Sequence, residues 1–186
     1  QLEQFHIHLG SEHTLEGNEA DFELHGVHKL ESGTGEHKVF PGLKNTQAVL
    51  GIWIQHSAEE DNAIFQPLFD GFKAWQEAQL SSGACASSER KALEMPARGL
   101  QGIFNVYSLI PSDVFGFSFY DGSLTTPPCT EDLWWTVTMG DLKISKAQDD
   151  ELRSLILDYR NETGLYENTS AVQRRPCLRS DGSVIL

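Results

Sequence analysis

The chain has 186 residues, of which 39% are hydrophobic, and it carries a formal net charge of −13 at pH 7. This length and composition permit one globular domain with a sizeable core. The acidic balance excludes nucleic acid as a partner, because binding to phosphates requires a basic surface. The sequence contains no apolar run long enough to span a membrane.

The predicted elements, in chain order, are mostly strands broken by Gly, Pro, Asn and Asp. Short alternating or apolar runs predict strands near residues 4–9, 21–28, 47–54, 103–109, 115–120 and 134–143. Helical spacing predicts two helices, one containing Phe65, Leu68, Phe69 and Phe72 and one containing Leu152, Leu155, Ile156 and Tyr159. Pro67 falls in the first turn of the former. The pattern indicates a β-rich α+β fold.

Three histidines in two of these strands are candidate metal ligands. Side chains alternate along a strand, so His6 and His8 point to the same face. His25, on a paired strand, is the best third ligand, and Glu23 shares its face two residues earlier. Zinc favours nitrogen ligands in tetrahedral geometry, and a catalytic site leaves the fourth position open.

Two other interpretations of this pattern compete with a zinc site. A His-x-His pair on a strand is more often part of a solvated face than a ligand pair. The spacing His6-x-His8-x-x-x-Glu12 also resembles the first metal motif of the cupins, which bind iron or manganese. A cupin requires a later histidine, and the segment 40–45 has Pro41 and Gly42 without one following.

The far end of the chain favours the zinc interpretation. Residues 122–131 read GSLTTPPCTE and are followed by WWTV at 134–137. Together with QFHIH at 4–8, SEHT at 11–14 and ELHGVH at 23–28, these segments resemble the α-class carbonic anhydrases in content and order. The resemblance implies that family's fold, a large central, mostly antiparallel twisted sheet with peripheral helices. It implies a Zn²⁺ cofactor, carbon dioxide and bicarbonate as substrates, and sulfonamide or anion inhibitors.

The resemblance also implies roles for individual residues. His6, His8 and His25 match the zinc ligands, and Gln4 and Glu23 match the partners of zinc-bound imidazoles. Thr125 matches the hydroxyl that orients the attacking hydroxide, and Glu12 the carboxylate that receives the Thr125 proton. His13 and His28 are expected to be buried, hydrogen-bonded structural histidines, and Tyr120 belongs to the hydrogen-bond network behind Thr125. The residues that match the carbon dioxide pocket and its mouth are Val27, Val49, Leu124, Thr126, Leu133 and Trp135.

Family members carry a substantial region before the metal strand, and this chain opens almost directly on that strand. We therefore expect residues 1–186 to form a single carbonic anhydrase domain lacking its N-terminal segment, which is a separate or missing part of the molecule. Cys129 matches one half of a disulfide in secreted members, with its partner expected in that segment. The pairing of Cys85 and Cys177 stays open.

Compartment and activity complete the expectations. Asn161 and Asn168 begin Asn-x-Thr and Asn-x-Ser sequons, glycosylation acceptors if the chain is secreted. The sequence therefore predicts an extracellular location, or the lumen of a secretory or other organelle. The leading function is zinc-dependent reversible hydration of carbon dioxide, and the alternative is a non-catalytic relative acting as a binding or structural subunit.

Overall fold

A computed structural model describes residues 1–29, 47–82, 93–96, 105–125 and 129–163. Its strands are β1 (Leu2–Leu9), β2 (Thr14–Leu15), β3 (Asn18–Glu19), β4 (Phe22–Lys29), β5 (Gln47–His56), β6 (Leu93–Pro96), β7 (Phe117–Gly122) and β8 (Leu133–Ile144). Its helices are α1 (Gln66–Ser82) and α2 (Lys146–Thr163). None of the helices in the described segments is long and apolar enough to cross a membrane.

Six strands form one mixed sheet in the order β6-β1-β4-β5-β8-β7. The pairing of β5 with β8 is parallel. Each of the other four pairings is antiparallel, which confirms the predicted β-rich, mostly antiparallel sheet with peripheral helices. The short strands β2 and β3 form a separate hairpin that connects β1 to β4.

One face of the sheet is covered by helices. Apolar residues from β1, β4 and β5 alternate toward this face and pack with side chains of both helices, and this cluster forms the main core. Its fully buried members include Phe5, Ile7, Leu24, Ile52, Ile54, Leu68, Phe72, Leu152 and Ile156. The helix core therefore leaves the other face of the same strands free to carry polar side chains.

Helix α2 begins with a reciprocal cap. Gln148 N donates to Ser145 Oγ at 3.2 Å, and Ser145 N donates to Gln148 Oε1 at 3.4 Å. This Ser-x-x-Gln arrangement satisfies backbone N–H groups at the helix start. The cap holds α2 directly after β8, so the helix folds back over the sheet.

The structure corrects the predicted strand at 103–109. Residues Val106–Leu109 form a 3-10 turn, in which the Asn105 side chain accepts a hydrogen bond from Tyr107 N at 3.1 Å. Val106 and Leu109 are both buried at a spacing of three, which fits a tight helical turn and not the period of two of a strand. Residues 103 and 104 lie outside the described segments.

Candidate metal centre

The register between β1 and β4 brings the predicted ligands onto the face opposite the helices. His6 lies directly opposite His25, and His8 lies opposite Glu23. Gln4, two residues before His6, lies on the same face of β1. Five polar side chains from two neighbouring strands therefore meet on one surface, as alternation predicts.

The three imidazoles form a compact group. The ring centroids are 4.9 Å apart for His6 and His8, 5.1 Å for His6 and His25, and 4.6 Å for His8 and His25. One ring nitrogen from each residue lies within 4.8 Å of the other two. His8 and His25 are 3% and 2% exposed, so the group is largely closed to solvent.

Two side chains fix which nitrogens face the centre of this group. The Gln4 Oε1 lies 2.9 Å from His6 Nδ1 and accepts a hydrogen bond from it, which leaves Nε2 as the nitrogen of that ring available to a metal. The Glu23 Oε1 lies 3.0 Å from His25 Nε2, leaving His25 Nδ1 to face His8 Nε2 at 3.2 Å. Both roles were expected from the sequence.

This donor set fits zinc. Two ligands about 2.0–2.1 Å from a tetrahedral ion are roughly 3.3 Å apart, close to the 3.2 Å between His8 Nε2 and His25 Nδ1. The partners Gln4 and Glu23 leave one nitrogen of His6 and of His25 available for a metal. Three imidazoles with oriented rings form a ligand set for Zn²⁺, with a fourth position open.

Glu23 connects the ligands to a longer chain of hydrogen bonds. Its Oε2 accepts from the backbone N–H groups of Glu12 and His13, both at 2.9 Å. Its Oε1 also lies 2.5 Å from His13 Nδ1, and His13 Nε2 lies 2.6 Å from Tyr120 Oη. The chain therefore runs from Tyr120 through His13 and Glu23 to His25.

His13 needs one correction. It is hydrogen-bonded, as expected, but its side chain is 21% exposed and so is not buried. Tyr120 lies in the same hydrogen-bond network as Thr125, because His13 and Glu23 connect Tyr120 to Glu12, the residue that accepts from Thr125. His13, Glu23 and His25 also lie close enough together to hold a metal, but the Glu23 carboxylate already accepts hydrogen bonds from both histidines.

Burial and neighbouring charges shift the pKa values of these groups. Burial, with a smaller effect from the charge of His25, lowers the pKa of His6 to about 3, so its ring is neutral at physiological pH. Burial alone would lower the pKa of His25, but the Glu23 carboxylate raises it. Burial alone would raise the pKa of Glu23, but His25 and His13 hold it well below its usual range. Without metal, the pKa shifts of His25 and Glu23 each favour the charged form of the side chain.

Thr125 and Glu12 lie beside the imidazoles. The Thr125 hydroxyl donates to Glu12 Oε2 at 3.0 Å, as the sequence predicted. That oxygen lies 3.9 Å from His25 Nδ1, and Glu12 Oε1 lies 3.8 Å from His8 Nδ1. Burial raises the pKa of Glu12, and the charge of His25 and the Thr125 hydrogen bond partly oppose this. The pair thus lies within reach of the open side of the ligand group.

An apolar cluster adjoins the histidines on the same face. Trp135 packs against His25, with ring centroids 4.8 Å apart. The Trp135 indole donates to the Ser123 carbonyl at 3.0 Å, which fixes the ring. The buried members of the cluster are Val27, Val49, Leu133, Trp135 and Val137, with Trp53, Tyr120 and Leu124 packed against them.

The structure places five of the six predicted pocket residues in this cluster, and the sixth, Thr126, lies outside the described residues. Val137 and Trp53 were missed. Val137 follows Trp135 by two positions on β8, so strand alternation would have placed it on the same face.

The remaining predicted residues lie away from the metal centre. His28 is half-buried and not buried as expected, and its Nε2 lies 2.7 Å from Tyr107 Oη. The side chain of Asn161 and the residues Asn168, Cys85 and Cys177 fall outside the described residues. Cys129 is disulfide-bonded.

Comparison with known proteins gives consistent results. A family model described as eukaryotic-type carbonic anhydrase matches residues 1–180. Carbonic anhydrase 6 of Mus musculus is 30% identical over 168 residues, covering 86% of this chain and 47% of that protein. The chain spans about half the length of the curated relatives it matches, 47% and 51% in two mammalian examples.

Solved structures with similar folds include a carbonic anhydrase and a protein named dioscorin. A carbonic anhydrase from Chlamydomonas reinhardtii in complex with acetazolamide has a TM-score of 0.54 and 27% identity, covering 90% of this chain and 57% of that one. Dioscorin complexed with ascorbate has a TM-score of 0.57 and 25% identity, covering 91% of this chain and 56% of that one.

Proposed function

Because the chain belongs to the eukaryotic-type carbonic anhydrase family, we propose that it takes part in zinc-dependent reversible hydration of carbon dioxide to bicarbonate and a proton. The observation that carries the proposal is the group formed by His6, His8 and His25 with the Thr125–Glu12 pair beside it. Because the chain is about half as long as its relatives, the proposal concerns the complete protein that contains it.

The chain's own residues hold the metal in this proposal. His6, His8 and His25 offer neutral nitrogens, and Gln4 and Glu23 hold two of the rings in the tautomer that exposes the ligand nitrogen. When bound, zinc supplies Lewis acidity that lowers the pKa of water to about 7, a value for which carbonic anhydrase itself is the standard example.

Thr125 orients the nucleophile. Its hydroxyl proton is donated to Glu12, so toward the metal centre its oxygen can only accept a hydrogen bond. An acceptor at this position selects a nucleophile that has a proton to donate, and it directs the remaining lone pair away from Thr125. Glu12 acts through Thr125, because its side chain accepts the hydrogen bond from the Thr125 hydroxyl.

The apolar cluster suits an uncharged substrate. Val27, Val49, Leu133 and Trp135 present hydrocarbon and aromatic surface next to His25. Carbon dioxide is small and has no net charge, so such a surface binds it without a polar group that would retain water. An anionic sulfonamide should compete at the same centre, in line with the solved relative that binds acetazolamide.

A matched pair of threonine variants tests the proposal. In the complete zinc-loaded protein, Thr125→Ala should lower kcat/KM for carbon dioxide hydration about 100-fold, since a preorganised hydrogen bond in the transition state is worth about 2.7–4 kcal/mol. The control, Thr14→Ala, changes an exposed residue of β2 and should keep wild-type activity. Stopped-flow measurement with a pH indicator gives both values. Full activity in Thr125→Ala would refute its role.

The alternative is a non-catalytic relative that acts as a binding or structural subunit. Its support is the structural neighbour dioscorin, which was solved with ascorbate. Absence of hydration activity in the zinc-loaded wild type, together with measurable binding of ascorbate by calorimetry, would favour this alternative over the enzyme.

We also propose that the protein enters the secretory route. The support is the disulfide at Cys129 and the two sequons at Asn161 and Asn168. Peptide mapping of the native protein without reductant should find Cys129 in a disulfide and glycan on at least one sequon. A free Cys129 thiol and unmodified asparagines would contradict this location.

A further inference from the structure

Glu23 uses the full acceptor capacity of its carboxylate, with two hydrogen bonds on each oxygen. Its Oε1 lies between His13 Nδ1 at 2.5 Å and His25 Nε2 at 3.0 Å. Its Oε2 accepts two backbone N–H groups at 2.9 Å. The side chain is fully buried. Any displacement of Oε1 therefore lengthens a hydrogen bond to a histidine.

The space that Oε1 occupies is provided by a glycine. Gly51 of β5 lies directly opposite His25 in the sheet, and Glu23 lies opposite Trp53, so the Glu23 side chain reaches His25 by crossing diagonally over Gly51. A Cβ atom built on Gly51 would lie 2.8 Å from Glu23 Oε1 and 3.4 Å from Val137 Cγ2. Real Cβ atoms essentially never approach an oxygen that closely.

From this contact we infer that Gly51 is a positioning residue for the metal centre. The missing side chain lets Glu23 Oε1 reach His25 Nε2, which keeps the proton on that nitrogen and turns His25 Nδ1 toward His6 and His8. A side chain at position 51 would push Oε1 away, because Oε2 is held by two backbone N–H groups. Gly51 thus acts through Glu23 and His25 without touching the metal.

The inference concerns how the metal is held, and it rests on the proposed function only in that the metal is zinc. Changes in a hydrogen-bonded partner of a metal ligand typically weaken metal affinity 10–100-fold. We expect Gly51→Ala to weaken zinc binding by about that factor in the complete protein, measured by competition with a chromogenic chelator. Gly140→Ala is the matched control, because a Cβ there meets nothing closer than 3.6 Å.

A second variant separates the carboxylate from general packing. The double variant Gly51→Ala/Val137→Ala removes the neighbour at 3.4 Å and keeps the contact with Glu23. It also relieves crowding if the single variant folds poorly. Zinc affinity should remain weakened in the double variant. Recovery of wild-type affinity would show that Val137 packing, and not Glu23, causes the effect, and would overturn the inference.

The wild type provides a test that needs no variant. Nitrogen-15 correlation spectra of the zinc-loaded protein should show His25 protonated at Nε2, with that proton hydrogen-bonded to Glu23. Protonation of His25 at Nδ1 would overturn the inference. These readouts are separate from catalysis: a wild type that binds zinc with this tautomer but does not hydrate carbon dioxide would refute the proposed function and leave the role of Gly51 standing.

Discussion

His28 is a titratable residue that reports on the fold and not on the metal centre. It lies three residues after His25 on β4, and its ring is close to Gly26 on the face opposite the ligands. It stacks on Tyr107 with ring centroids 5.7 Å apart. Burial lowers its pKa from the usual 6.5, and backbone hydrogen bonds to Ala48 and Gly26 partly oppose this.

The lowered pKa gives a prediction with a definite sign. Below pH 6.5 the unfolded chain binds a proton on His28 more readily than the folded chain does. The free energy of unfolding therefore decreases as the pH falls. We expect the difference in free energy of unfolding between wild type and His28→Gln to be largest above pH 6.5 and to shrink toward the folded pKa. Urea titrations from pH 8 to 5 measure it.

The control for this titration is Thr14→Ala, which removes an exposed hydroxyl that does not titrate. Its unfolding free energy should run parallel to that of the wild type at every pH. A His28→Gln curve that also stays parallel would mean that burial does not depress the pKa of His28 in the folded protein.

The face of the sheet on which most candidate site residues lie could be predicted from the sequence, because it depends only on the alternation of side chains along a strand. Parity on β1 and β4 fixes the face of Gln4, His6, His8, Glu23 and His25 without any knowledge of the rest of the fold. What the sequence did not predict depends on contacts between segments that are far apart in the chain. The hydrogen bond between Tyr120 and His13 is such a contact, and no local pattern predicts which of the nearby polar groups Tyr120 meets.

Arg153 adds a polar link between helix α2 and the sheet. Arg153 Nε donates to Asp149 Oδ1 at 2.9 Å within the helix, and its Nη2 lies 3.3 Å from Asp21 Oδ1 just before β4. Its guanidinium carbon lies 4.8 Å from the centre of the Phe22 ring. Asp21 also accepts a hydrogen bond from His56 N, so the same carboxylate joins α2, β4 and β5.

Replacing Arg153 should weaken this attachment modestly. Arg153→Met keeps the apolar stem over Phe22 and removes the guanidinium, and we expect a loss of about 1 kcal/mol because the side chain is partly exposed. Denaturant unfolding measures the loss. Lys146→Met is the control, since its ion pair with Asp150 is exposed and lies within α2, and its loss should be smaller. Equal losses would show that Arg153 does not tie the helix to the sheet.

Elements with a long period-matched pattern were predictable, and short ones were not. The two helices and the strands β1, β4, β5, β7 and β8 were each predicted near their observed positions. Strand β6 was missed because its four residues, Leu93–Pro96, are too few to show an alternation. It exists through its pairing with β1, a tertiary contact that local sequence does not encode.

At the scale of the whole described structure, the helix-covered core and the candidate metal centre lie on opposite faces of one sheet. Side chains from the same strands build the helix-covered core on one face and the ligand group with its apolar cluster on the other. Because β5 and β8 pair in parallel, the chain between them must cross over, and no sequence pattern predicted that pairing. The candidate metal centre and the core are therefore built on the same strands, so a change in metal binding should alter the stability of the core.

This shared backbone predicts that metal contributes to the stability of the entire protein. A ligand that binds only the folded state stabilises it by about 2.7 kcal/mol when its free concentration is 100 times Kd. Starting from free zinc at 100 times Kd, removal of the metal with a chelator should lower the free energy of unfolding by about 2.7 kcal/mol. Returning zinc should restore it. His25→Ala should abolish the dependence on zinc, whereas His56→Ala, at an exposed position outside the ligand group, should keep it. Identical unfolding curves for metal-loaded and metal-free wild type, with metal content verified by elemental analysis, would show that the three histidines do not couple zinc to folding.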